Sequence, residues 1–351
     1  MKRRHWLQSG LPWLAAAWWG VPAWAGPTGS TIAARFGKLP PPERVRRVFA
    51  AGAPAGVLLA ALAPDKLVGW PLQLSDAARG LLGAPLQGLP FVGRLAGRGS
   101  TVPMETLVQL QPDLILDSGT ADATCISAAR RVTEQTGLPC VLVHGRLADH
   151  AAQLREVGQL LGVAERGERL AAYADATLAL AAQVRASVAL AERPRVYFGR
   201  SADGLETGLE GSINLELLDF AAGSNVTAAA GKGSLTRVSL EQILGWDPEV
   251  IVTQDPAFAR RALSDPLWQS LTAVRKRRVH CAPSMPFGWL DGPPGVNRLI
   301  GVHWLVQLLH PAHPAVRALE PLPVAVQRFY RLFYGADLSP KAVAALLEGA
   351  A

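Results

Sequence analysis

After residue 25, no apolar run approaches the roughly 20 residues that a membrane-crossing helix needs. Cysteine is scarce: there are three in 351 residues and no Cys-x-x-Cys pair, so a thiol-based metal site has no support. Cys125 and Cys140 flank most of a helix predicted at 124–136, whose ends stand roughly 18 Å apart, beyond disulfide reach. Histidine offers little more. His310 and His313 are interrupted by Pro311 and followed by Pro314, which argues against a rigid helical His-x-x-His site. His303 sits in an apolar helix, where packing explains it. Direct capture of a metal ion by protein side chains is not expected.

Catalytic signatures are missing as well. Gly97-Arg98-Gly99-Ser100 and Gly231-Lys232-Gly233-Ser234 each lack the second flanking glycine of a nucleophile elbow, and the latter lacks the spacing of a phosphate-binding loop. An exported hydrolase is therefore the weaker rival, and the chain is not expected to be an enzyme. The clusters Arg44, Arg46, Arg47 and Arg275-Lys276-Arg277-Arg278 have no interleaved aromatics, so they read as solvated turns and no nucleic-acid partner is expected.

What is present starts with Lys2, Arg3 and Arg4, an apolar Leu11–Pro22 stretch, and Ala23-Trp24-Ala25 before Gly26. That pattern is a secretory signal peptide over residues 1–25. No cysteine follows to be acylated. A soluble, monomeric periplasmic product is expected, with a net charge of +4 where the whole chain has +7.

Short β-rich runs then alternate with helical ones. Strands are expected at 46–50, 66–70, 113–117 and 140–143, with helices at 55–62, 103–110, 121–136 and 148–161. Such alternation predicts α/β architecture around mostly parallel sheets. A stretch rich in Ala, Leu, Glu and Arg runs without Gly or Pro from Glu168 to Arg193, predicting one long helix across 164–193. Beyond Pro194 the α/β series resumes, giving two similar lobes at 44–163 and 194–351.

The organising signal is a repeat. Val102-Pro103-Met104-Glu105-Thr106-Leu107 leads into Gln111-Pro112-Asp113-Leu114-Ile115-Leu116. Val238-Ser239-Leu240-Glu241-Gln242-Ile243 leads into Asp247-Pro248-Glu249-Val250-Ile251-Val252. The constant offset is 136 residues. One helix–strand unit thus occurs once in each half.

With Asp265-Pro266-Leu267-Trp268, the segment Gly288-Trp289-Leu290-Asp291-Gly292-Pro293-Pro294-Gly295 and Arg328-Phe329-Tyr330, the chain from about Arg44 onward resembles a known family. It is the helical-backbone (class III) periplasmic substrate-binding proteins of ABC importers, which serve ferric siderophores, haem, vitamin B12 and molybdate. The resemblance implies two lobes on a rigid spine, a ligand held between them, and one exposed Glu per lobe that meets the permease. The matching positions are Glu105 and Glu241. It implies no cofactor of the protein's own. The leading ligand is a ferric siderophore or similar metal chelate; molybdate or tungstate, haem, cobalamin and a nickel chelate are alternatives.

Cleft residues are expected in loops at the C-terminal ends of strands. Trp70 ends a strand, placed either to stack on a chelate or to fill the core. Arg94 and Arg98 lie in a Gly-rich loop from which similar ferric hydroxamate binders draw an Arg, Arg98 being the nearer match. Ser118 and Thr120 follow a strand and carry hydroxyls for an anionic oxygen. Arg146 follows the next strand. In the second lobe the candidates are Arg200, Glu206, Thr207, Trp289, Asp291 and Arg298. Converging guanidinium groups suit an anionic ligand, although each Arg alone fits a surface role equally well.

Overall fold

The computed structural model describes residues 29–97 and 99–348; the signal-peptide expectation and Arg98 lie outside them. The first sheet contains β1 (Ile32–Phe36), β2 (Val48–Ala50), β3 (Leu114–Gly119) and β4 (Cys140–His144), ordered β1-β4-β3-β2. β2, β3 and β4 are parallel, and β1 closes the edge antiparallel to β4. Val, Ile and Leu fill the parallel strands because helices cover both faces of such a sheet. β1 was not expected from its sequence. Its run Ile-Ala-Ala-Arg-Phe is only partly buried and carries little of the β-branched signal.

The second lobe contains β5 (Arg195–Gly199), β6 (Glu206–Gly208), β7 (Ser224–Asn225), β8 (Leu235–Arg237), β9 (Val250–Thr253) and β10 (Val279–Cys281). β10-β9-β5-β7 form a parallel sheet, while β6 and β8 pair antiparallel beside it. The expected strand at 66–70 is reduced to isolated bridges, Val48 to Leu67 and Trp70 to Phe91.

The duplicated unit is structural as well as textual. Glu105 is the second residue of helix Met104–Gln109, and Glu241 is the second residue of helix Leu240–Trp246. Leu107 and Ile243 anchor the two helices at 0% exposure. Gln111 and Asp247, again 136 apart, both take left-handed backbone, at φ 46° and 39°. Each turns the chain immediately before a proline. The helices are held differently at their starts. Ser239 and Gln242 form a capping box, whereas Pro103 supplies no side-chain cap.

The spine is helix Ala164–Ser187, 24 residues and about 36 Å long. The expected helix to Arg193 stops earlier. Val188 turns extended, and a separate helical turn, Leu190–Glu192, precedes the chain's exit at Pro194, which disfavours helix before it. Helix His150–Leu160 packs on the spine through glycines. A Cβ at Gly167 would lie 2.6 Å from the Leu154 carbonyl oxygen, and one at Gly158 would lie 3.0 Å from Gly167 Cα. The lobes are not independent cores. Helix Leu322–Tyr334, from the chain's end, packs on helix Ala53–Leu62 of the first lobe, and one continuous apolar cluster spans both.

Gly167→Val forces these backbones apart and is expected to lower unfolding free energy by about 1–3 kcal/mol, measured by urea denaturation. Gly137→Ala, in a left-handed helix end with open space around its Cβ, should cost less, with strain as its only penalty.

Candidate ligand cleft between the lobes

A cleft of about 500 Å³ lies where the two sheets present their strand ends. The first lobe contributes Gly52-Ala53-Pro54 after β2, Asp117 to Thr120 at the end of β3, Arg94 and Cys125. The second contributes Arg200 after β5, Ile213, Asn214, Leu235 and the run Asp291 to Pro294. Open α/β sheets bind ligands at such ends, because loops there are free of the sheet's own hydrogen bonding.

The second-lobe wall is held rigidly. Gln254 Oε1 accepts from Leu290 N at 2.7 Å and Asp291 N at 2.5 Å, while its Nε2 donates to Asp291 O at 2.6 Å. The Asp291 carboxylate takes Asn214 Nδ2 at 2.9 Å and Arg200 Nη1 at 2.5 Å. Glu206 stands 3.7 Å from Arg200 on its other side. Arg200 therefore faces the cleft with its charge largely compensated, while the Arg94 guanidinium on the opposite lobe, among the described residues, meets the Gly99 carbonyl through Nε, at 3.2 Å.

Arg94, Ser118, Thr120, Arg200 and Asp291 thus meet in the cleft, with Glu206 behind Arg200. Others expected there lie elsewhere, each for a packing reason. Trp70 is fully buried, donates Nε1–H to the Leu86 carbonyl at 3.1 Å and packs on Phe287 at 5.6 Å. Trp289, 1% exposed, points into the core toward the Tyr330 hydroxyl. Thr207 is buried within the β6–β8 pair. Arg146 turns outward to Asp149 at 2.7 Å. Arg298 is fully buried at the junction of the lobes. The sequence reading missed Asp117, Asn214 and the Gly52–Pro54 turn. That turn was findable by the strand-end rule, since it follows β2 directly. Among the described residues, no three His, Cys, Asp or Glu side chains are grouped to hold a metal ion.

Residues 54–285 match the family model described as periplasmic binding protein. The chain belongs to the periplasmic binding protein family. The molybdate-binding protein MolA of Haemophilus influenzae is 25% identical over 275 residues, covering 70% of this chain and 74% of that one. The Fe(3+) dicitrate-binding periplasmic protein FecB of Escherichia coli is 27% identical over 203 residues, 54% of this chain and 62% of that one. An ABC transporter solute-binding protein from Sulfurospirillum deleyianum superposes with a TM-score of 0.79 at 26% identity, covering 88% and 95% of the two chains. The two lobes of this chain are α/β units joined by the helix Ala164–Ser187.

In this binding protein the lobes are clasped at the floor of the cleft by Arg298. Its Nη1 donates to Glu216 Oε1 at 2.7 Å and to the Ile213 carbonyl at 2.8 Å, and its Nη2 reaches across to the Gly145 carbonyl at 2.7 Å. Glu216 Oε1 in turn accepts from Leu147 N of the first lobe at 2.6 Å. Buried His150 lies 3.0 Å from the Gly295 carbonyl and 3.1 Å from Gln153, whose Nε2 donates to Ser118 Oγ at 3.0 Å. Burial, and then the Arg298 charge, push His150 down to about 3, so the ring is neutral. A continuous polar chain thus runs from the cleft floor to the lobe junction.

Arg298→Met removes the charge that Glu216 faces and strands the Gly145 and Ile213 carbonyls. It is expected to cost about 3–5 kcal/mol of stability, whereas Arg94→Ala, at a partly exposed loop position, should change it by less than about 0.5 kcal/mol. Guanidinium denaturation of both variants checks the contrast.

Proposed function

We propose that this binding protein captures a compact anionic metal complex, of the ferric-chelate kind, between its lobes and hands it to the permease of an ABC importer. The observation that carries this is the interlobe cleft, walled by Arg94 from one lobe and by Arg200 with Asp291 from the other. A volume of about 500 Å³ falls within the roughly 300–1,000 Å³ of sites that enclose small organic ligands, and it leaves a bare oxyanion loosely held. The FecB relative, which by name binds a ferric carboxylate complex, supports that reading. Molybdate is the second reading, favoured by the MolA relative over a longer stretch of chain.

The docking role follows from symmetry. Glu105 and Glu241 are exposed, occupy the same position in the two copies of the repeat, and stand on different lobes. A hydrogen bond from the Ser239 side chain holds Glu241 below the usual carboxylate range, so it stays charged in mildly acidic surroundings. Two carboxylates fixed to separate lobes attract a basic permease surface with salt-sensitive strength.

Titration of intrinsic tryptophan fluorescence with ferric citrate, molybdate, haemin, cobalamin and nickel–histidine checks the ligand class. Ferric citrate is expected to bind with micromolar or better affinity, and a response to molybdate alone overturns the chelate reading. Glu105→Arg with Glu241→Arg is expected to abolish uptake in cells and leave affinity within about twofold. Undiminished uptake by the double variant removes the docking role.

A further inference from the structure

The cleft holds one carboxylate whose charge nothing in the described protein compensates. Asp117 sits at the end of β3 on the cleft wall, with its carboxylate against the Gly52 turn. Its Oδ1 accepts only the N–H of Ser118, at 2.9 Å, and no described cation pairs with it. The contrast with Asp291 is direct. Both carboxyls line the same cleft, yet Asp291 is matched by Arg200 and Asn214. The groups around Asp117 are Arg94 in the neighbouring loop, Cys125 at the start of helix Ala123–Thr136 with Asp122 capping it, Cys140 and His144 on β4, and Arg200 with Asp291 across the gap. Neither thiol supplies positive charge, and burial, together with the Asp117 and, for Cys125, the Asp122 carboxylates, pushes both thiols up. Among the described residues the cation on this lobe's cleft wall is Arg94, which spends a donor on the Gly99 carbonyl.

An ionised Asp117 repels an incoming anion across a space from which water has been displaced. A neutral carboxyl there donates a hydrogen bond to a ligand oxygen instead. We infer that Asp117 is a specificity-determining residue of the cleft, which accepts an anionic ligand together with one proton from solvent, shared between its carboxyl and a ligand oxygen. The inference rests on the cleft being the ligand site. Burial pushes the Asp117 carboxyl up to about 6, against a weaker opposing pull from the Ser118 N–H, so the group changes state within the range an exported protein meets.

The test pairs wild type with Asp117→Asn, which preserves the shape and removes the titration. Calorimetric titrations with sodium molybdate and with ferric citrate, at pH 5.5 and 7.5, give affinity and proton uptake. Wild type is expected to bind the anion about 25-fold more tightly at pH 5.5, the ratio of protonated carboxyl for a group titrating at about 6. Asp117→Asn is expected to bind equally at both pH values, at the acid-side affinity of wild type. Ligand speciation changes identically for both proteins and cancels. A wild-type affinity independent of pH, or an Asn variant with the wild-type slope, overturns the inference. If neither probe binds wild type, the reading of the cleft as an anion site fails, and the unliganded protein still decides about Asp117. A carboxyl raised in the folded state stabilises at low pH and loses that contribution as pH rises through its folded value. The stability of wild type relative to Asp117→Asn should therefore fall between about pH 4 and 7; a flat difference shows an ordinary aspartate and sinks the proposal.

Discussion

The buried guanidinium of Arg298 is the contact on which the rest of the molecule depends. A cation with no exposure survives only where several acceptors surround it, and here the acceptors come from both lobes. Removing the first lobe would take the Gly145 carbonyl from Arg298 Nη2, and removing the second would strand Leu147 N and the Gly145 carbonyl. The cleft lies above this junction, so its floor is held by hydrogen bonds that both lobes supply. A preformed cleft avoids the ordering cost that a mobile one imposes on affinity.

The spine and the shared core act in the same direction. A helix of 24 residues resists bending, and the glycine contacts at 158 and 167 leave its partner helix no room to slide. Ion pairs from Arg155 to Glu168 and Asp175 line the outside of that helix pair. They are solvent-exposed and add little; the close backbone approach fixes the pair. Rigid scaffolding confines adjustment to side chains on the cleft walls, where Arg94 and Thr120 are the least tied.

Much of the scaffold was legible in the sequence because its signals are periodic and local. The uninterrupted spine and the parallel-strand runs rest on patterns within ten to thirty residues, and the repeat around Glu105 and Glu241 matches two short segments at a constant offset. The cleft was legible only in part. Ser118, Thr120 and Arg200, chosen from strand ends, line the cleft, yet Trp70, Trp289 and Arg298 also follow or precede strands and helices and turn inward. Whether a side chain faces a cleft or a core depends on what arrives from distant sequence: Phe287 against Trp70, Tyr330 against Trp289, Gly145 against Arg298. Asp117 was overlooked for a related reason. Its identity is ordinary, and only the absence of a nearby cation among the described residues makes it chemically distinct.

The return of helix Leu322–Tyr334 to the first lobe bears on how the chain is made. Helix Ala53–Leu62 is apolar on nearly every face, and one of those faces stays uncovered until helix Leu322–Tyr334, some 260 residues further along the chain, is in place. The N-terminal half cannot complete its own interior during synthesis.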